Sequence, residues 1–164
     1  MALYVKKFGG TSVATLDLIE RVADKIIRTK LEGDDVVVVV SAMGKETDRL
    51  VSLAEKLNYQ GVNAARERDV LLSVGEQVTI ALLSMVLLKR GYKAESFLGR
   101  QVKILTDSAY TKARILGVDT EGLEAKISNG VIPVVAGFQG EDANGNITTL
   151  GRGGSDTTAV ALAA

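Results

Sequence analysis

Apolar residues along this chain keep two alternating rhythms. Ala2–Phe8 is a short extended run that ends at Gly9-Gly10. Leu16 to Leu31 follows, with Leu16, Ile19, Val22, Ala23, Ile26 and Ile27 three or four apart, the stripe of an amphipathic helix. Asp34-Asp35 then precede Val36–Val40, five valines in a row. A β-branched run without polar alternation predicts a strand covered on both faces, as in a parallel sheet. Ser41–Glu46 reads as a loop, with Thr47 or Asp48 capping a helix to about Leu57. A longer helical stretch runs from about Asn63 to Lys89, bent at Gly75 and stopped by Gly91.

The second half has shorter periods. Lys93–Phe97, Gln101–Leu105 and Ala113–Val118 read as short strands, and Asp119–Ser128 as a helix closed by Asn129-Gly130. Val131–Ala136 is a further strand, in which Pro133 predicts an edge or a strand-start position. Asp142–Asn146 reads as a hairpin tip, Gly151–Gly154 as a glycine-rich loop, and Ser155–Ala164 as a helix. Strands alternating with helices, with no linker or repeat, predict a single α/β domain with a mostly parallel sheet.

Composition narrows the chemistry. The 164 residues contain no His and no Cys, which excludes Ser-His triads, thiol nucleophiles, disulfides and thiolate or imidazole zinc sites. Twenty basic side chains balance twenty acidic ones, so a nucleic-acid partner is not expected. Val70–Leu88 is apolar enough to suggest a membrane span, but Glu76 and several hydroxyls inside it favour a buried helix and no membrane.

Four places could carry chemistry. Lys7-Phe8-Gly9-Gly10-Thr11-Ser12 delivers a lysine from a strand into a two-glycine turn. It is either an anion nest or a tight turn with a solvated lysine, and its spacing is not that of a Walker A loop. Gly151-Arg152-Gly153-Gly154-Ser155-Asp156 opens a helix. Three glycines around one arginine would let a ligand reach the backbone while the guanidinium clamps a carboxylate or phosphate. A flexible loop with a Ser cap is the other reading. Glu76 is the one charge between Val70 and Leu88, so it either meets a partner inside the protein or faces solvent beside Ser73 and Gln77. Ser41 to Thr47 follows the valine strand, and Gly137-Phe138-Gln139-Gly140 follows the later one, where open α/β sheets bind ligands. One Lys, one Arg and one buried Glu suit a zwitterionic acid together with a polyphosphate.

KFGGTS, VVVVVSAMGKET, SVGEQ, VAGFQG and TTLGRGGSDTT stand here in the order found in aspartate kinases, and by them the chain resembles the amino-acid kinase family throughout. The resemblance implies a three-layer αβα sandwich, a cytoplasmic enzyme, and transfer of the ATP γ-phosphoryl group to the β-carboxylate of L-aspartate, the first step toward lysine, threonine, methionine and diaminopimelate. It implies that Lys7 neutralises the transferring phosphoryl group and that Asp156 organises the catalytic lysines. Gly9, Gly10, Gly153, Gly154 and Ser155 would border phosphate. Ser41 and Thr47 would contact aspartate, Glu76 its ammonium and Arg152 its α-carboxylate. Mg²⁺ would be held mainly by ATP and water rather than by protein ligands. Kinases of other amino acids or carboxylates on the same fold, and a non-catalytic aspartate-binding piece, are the alternatives. The last ten residues, SDTTAVALAA, read as a helix with no cap and no following element. The expectation is therefore an amino-terminal, aspartate-binding part without the nucleoside-binding part or ACT domains, inactive alone and self-associating.

Overall fold

The computed structural model describes residues Met1–Ala164. Strand β1 (Leu3–Phe8) passes through a 3-10 turn (Gly10–Val13) into helix α1 (Leu16–Leu31), and β2 (Asp35–Val40) leads to α2 (Glu46–Leu57). Helices α3 (Ala64–Leu72) and α4 (Val74–Lys89) follow, then the short strands β3 (Ala94–Phe97), β4 (Ile104–Thr106) and β5 (Ile115–Val118). Helix α5 (Glu121–Ser128), β6 (Ile132–Ala136), the hairpin β7 (Gln139–Glu141) and β8 (Ile147–Thr149), and α6 (Gly154–Ala163) complete the chain.

The valine strand is central. The main sheet has the order β1-β2-β6-β3, and every pairing in it is parallel. Val36, Val38 and Val40 pack on one side against Ile19, Val22 and Ile26 of α1 and Ile80, Leu83 and Leu87 of α4. Val37 and Val39 pack on the other side with Leu123 of α5 and with Ala159 and Leu162 of α6. This is the three-layer αβα sandwich expected from the sequence. A second, mixed sheet of order β5-β4-β7-β8 joins the α5–α6 side through Ile104 and was not foreseen. β5 lies within the expected Ala113–Val118 strand, β4 overlaps the expected Gln101–Leu105 strand, and β7 and β8 flank the expected turn; strands of three or four residues do not show which partners they pair with.

Several boundaries differ from expectation. Helix α2 starts at Glu46 after Lys45, with no side-chain cap, so Thr47 and Asp48 lie in its first turn rather than capping it. The long helix breaks at Ser73, not Gly75: the Ser73 hydroxyl donates to the Val70 carbonyl at 2.8 Å, and Gln139 Nε2 donates to the Ser73 carbonyl at 2.9 Å. Gly75 instead permits close packing, since a Cβ there would lie 2.7 Å from the Ala42 side chain. α3 and α4 together are long and apolar enough to cross a membrane, yet they bury Asp69 and Glu76 against the rest of the protein. Of the predicted Gln101–Leu105 strand only the last two residues are extended, because Lys103 takes a positive φ of 48°.

Pro133 is not on an edge, because β6 lies between β2 and β3. It does occupy a strand start. Ile132 N–H donates toward β3, to Lys93, and Gly137 N–H toward β2, to Val40, so alternation turns the Pro133 nitrogen toward β2. Pairing with β2 begins one residue later, at Val38↔Val134, so no ladder bond is lost.

Helix α4 is apolar all round, so only its packing reveals which side is inside. Leu83 is fully buried and Leu88 is half exposed. Leu83→Ala is expected to cost about 2–5 kcal/mol in urea unfolding, and Leu88→Ala less than about 0.5 kcal/mol. Equal losses would mean that α4 is turned differently.

Candidate functional site

Parallel strands bring their carboxyl ends to one rim. Phe8, Val40 and Ala136 sit side by side in the register of β1, β2 and β6, so the loops after them share one edge. The Gly151–Gly154 loop reaches that edge from β8, and a cleft of about 280 Å³ results. Lys7, Ser41, Thr47, Glu76, Arg152, Gly153, Gly154, Ser155 and Asp156 all line it, together with Phe138 and Gly151. Those nine were singled out in the sequence, although they come from stretches up to 149 residues apart (156 − 7).

Gly9 and Gly10 lie beside the cleft rather than in its lining. A Cβ on Gly10 would sit 2.9 Å from the Gly44 carbonyl oxygen and 3.0 Å from that of Ala42. Gly10 also accepts a hydrogen bond from Gly44 N–H at 2.9 Å. Its missing side chain therefore lets the loops after β1 and β2 touch. Gly9 has its Cα beside the Lys7 ammonium, 3.3 Å from where its own Cβ would stand.

Helix α6, which the glycine-rich segment opens, is docked closely. Ser41 Oγ donates to Ser155 Oγ at 2.9 Å. A Cβ on Gly137 would collide with Ser155, and one on Gly154 would collide with Phe138. Phe138 itself holds a left-handed φ of 74°, with its N–H donating to Thr158 Oγ1 at 3.1 Å. Lys7 Nζ meets Asp156 Oδ1 at 2.9 Å across the cleft. Both side chains reach solvent, so the pair aims the ammonium more than it stabilises the fold.

Glu76 settles the alternative left open by the sequence. It is 2% exposed, and does not face solvent. Oε1 accepts the Ala42 N–H at 3.2 Å, while Oε2 has no partner. Burial pushes its carboxyl up from 4.5 to about 7, only partly offset by backbone hydrogen bonds. An orphaned carboxylate oxygen lining a cleft is a place for a cation or a proton donor. Arg152 is the opposite case: an exposed guanidinium that makes no ion pair or hydrogen bond, between Gly151 and Gly153 with φ of 78° and 72°. The cleft thus holds one buried carboxylate and one free guanidinium, with a Lys–Asp pair beside them.

Sequence reasoning passed over Asp69. It is fully buried and lies seven residues before Glu76 on the same helical run. Its signal is weaker than that of Glu76: Asp69 closes the charged run Arg66-Glu67-Arg68-Asp69, where an acid is expected to face solvent, and only its place at the edge of the apolar stretch from Val70 sets it apart. It lies next to a second cavity of about 790 Å³, which adjoins the cleft through Thr47, Phe138, Gly151 and Arg152 and is walled by Tyr59, Arg68, Leu72, Thr111 and Thr149.

Comparison with known proteins agrees with this geometry. The model of the amino acid kinase family matches residues 2–164. Aspartokinase from Pseudomonas aeruginosa is 63% identical over all 164 residues, which make up 39% of its own length. Aspartokinase 2 from Bacillus subtilis is 54% identical over the same stretch, 40% of its length. The chain spans about two fifths of the length of these curated relatives. Among solved structures, aspartate kinase from Synechocystis superposes with a TM-score of 0.77 at 48% identity, over 98% of this chain and 26% of that one. Escherichia coli aspartokinase III, in complex with aspartate and ADP, gives a TM-score of 0.85 at 29% identity, over 99% of this chain and 46% of that one.

The buried carboxyl gives a pH test. In the unfolded chain Glu76 ionises near 4.5, and in the fold near 7, so folding takes up a proton between those values. Stability should fall as pH rises from 4.5 to 7 and level off above, by a total on the order of 3 kcal/mol. Urea unfolding of the wild type and Glu76→Gln at pH 5, 6, 7 and 8 checks this. A difference between them that does not change with pH contradicts the buried, unpartnered carboxyl.

Proposed function

This chain belongs to the amino acid kinase family, and from that premise we propose that it forms the amino-acid-binding side of an enzyme that transfers the γ-phosphoryl group of ATP to the β-carboxylate of L-aspartate. The observation that carries the reading is the unsatisfied charge set of the cleft. The orphaned Oε2 of Glu76 suits an ammonium, and the free guanidinium of Arg152 suits a carboxylate. A free α-amino acid presents both. The aspartokinase names of the relatives, and the aspartate and ADP in the Escherichia coli structure, support aspartate and a nucleotide as the pair of substrates.

With aspartate held by its α-groups, its β-carboxylate would extend toward Ser41, Thr47 and Lys7, which line the same cleft. The ammonium of the substrate would lower the Glu76 carboxyl and keep it ionised. Lys7, aimed by Asp156, would offset charge on the phosphoryl group as it moves between oxygens. Backbone N–H groups of Gly154 and Ser155 open α6 and would favour negative charge at its start. No covalent protein intermediate is required, which fits a site without His or Cys.

Mg²⁺ fits as a passenger on the nucleotide. The cleft offers one exposed carboxylate, Asp156, and the protein has no cluster of three acidic side chains. Such a donor set suits an ion arriving with triphosphate and water ligands, where it would neutralise phosphate charge. The nucleoside-binding segment and ACT domains are proposed to lie in sequence of the kind that the relatives carry beyond the matched stretch.

The reading is tested in a hybrid in which these 164 residues replace the matched stretch of the Pseudomonas aeruginosa relative. Lys7→Ala is expected to lower hydroxamate formation from aspartate and ATP by about 10²–10³, the effect of losing one charge donor to a transition state. Arg152→Ala is expected to weaken aspartate binding by roughly 1.5–3 kcal/mol, about 10- to 150-fold in KM, and to change ATP much less. Wild-type turnover in the first variant, or an unchanged aspartate response in the second, would sink the corresponding role.

A further inference from the structure

Arg152 has no side-chain partner, so the backbone that carries it is what fixes where its side chain leaves the loop. That backbone is held from below by a residue that never touches the cleft. Asp69 is fully buried on α3, and no cation lies within ion-pair distance; its neighbour Arg68 faces Glu55 instead. Its carboxylate is satisfied by donors alone. Thr111 N–H reaches both oxygens at 3.0 Å. Thr149 donates twice, from its N–H to Oδ2 at 2.8 Å and from its hydroxyl to Oδ1 at 2.7 Å.

Both partners border the arginine loop. Thr149 is three residues before Arg152, and its carbonyl accepts the Ala113 N–H at 2.9 Å. Leu150 N–H then donates to the Phe138 carbonyl at 2.9 Å. Next comes Gly151, packed against Thr111: a Cβ there would lie 3.3 Å from the Thr111 carbonyl oxygen. Thr111 itself has a φ of 70°, a conformation that a β-branched residue adopts only under constraint. The constraint is visible, because both oxygens of Asp69 sit on its N–H.

We propose that Asp69 is a positioning residue for amino-acid recognition, holding Thr111 and Thr149 so that the Gly151-Arg152 turn presents its guanidinium to the α-carboxylate. The proposal rests on the aspartate reading above. It explains why a buried carboxylate without a cation is retained: three donors converge on it, and neither an apolar side chain nor an amide can accept from all of them. It also gives the broken helix a single purpose. α4 supplies Glu76 for one end of the substrate, and α3 governs the other end through Asp69.

The test uses the hybrid described above, with Asp69→Asn and Thr149→Val. Asparagine turns an N–H₂ toward three donors, and valine removes only the hydroxyl. Asp69→Asn is expected to raise KM for aspartate about tenfold, in the range of displaced positioning groups, and Thr149→Val to raise it by a smaller factor. KM for ATP and kcat should stay within about twofold in both. An unchanged aspartate KM in a folded variant overturns the proposal. So does an equal loss in kcat and in both KM values, which marks a purely structural role. Should Asp69→Asn fail to fold, Thr149→Val decides by the same split. Amide hydrogen exchange is read in parallel: faster exchange over residues 149–153, with β6 unaffected, supports the proposal, and unchanged exchange overturns it. Exchange needs no substrate. If the unaltered hybrid ignores aspartate, the functional reading fails, while exchange still decides whether Asp69 holds the Arg152 turn.

Discussion

A strand covered on both faces favours apolar side chains along its buried length, and that constraint organises this protein. β2 gives Val36, Val38 and Val40 to one helical layer and Val37 and Val39 to the other. Its chemistry is thereby displaced to its carboxyl end, at Ser41 and Ala42. Ser41 bonds the start of α6, and the Ala42 N–H holds Glu76. Because β1 and β6 run parallel to it in register, their ends deliver Lys7 and Phe138 to the same rim. The apolar middle of the sheet supplies stability, and the loops beyond it supply charge.

The charges of the cleft are left unsatisfied in a particular way. A buried carboxylate normally finds a cation or several donors. Asp69 finds three donors, from Thr111 and Thr149, and is complete. Glu76, which lines the cleft, finds one, and its second oxygen is buried without a partner. Two acids on one helical run thus differ in environment: one has its hydrogen bonds closed and the other has one open. Glycine does related work at two points. Gly10 lets two loops meet, and Gly151 takes a left-handed turn against Thr111 that frees Arg152 to point outward.

Much of this was legible in the chain itself. The helical period of α1 and the unbroken valine run of β2 are unambiguous, and both elements appear where those signals placed them. The glycine-rich loops, the lone Glu76 and the loops after the strands took in all eleven residues that line the cleft, and the motif order implied a role for nine of them. Strands at Gln101–Leu105 and Ala113–Val118 and the turn at Asp142–Asn146 were legible too, and β4, β5 and the β7–β8 hairpin fall on or beside them; that they pair into a sheet of their own was not, since pairing depends on partners far along the chain. The break at Ser73 was assigned to Gly75, because a glycine is a local signal while the Gln139 side chain that takes the Ser73 carbonyl lies 66 residues away.

What the sequence determined by itself was periodic or local: which segments are helix or strand, which loops carry glycines beside a charge, and which acids sit among apolar neighbours. The tertiary structure decided what depends on distant partners. It turned Glu76 inward, where sequence allowed solvent; it placed Pro133 inside the sheet, at a position where its nitrogen meets no ladder; and it gave Asp69 its tie to Thr111 and Thr149. The physical reason is the range of the forces. Backbone propensity and hydrophobic period act over a few residues. Desolvation and hydrogen-bond satisfaction depend on what the fold brings near, and the sequence fixes those neighbours only through the whole chain.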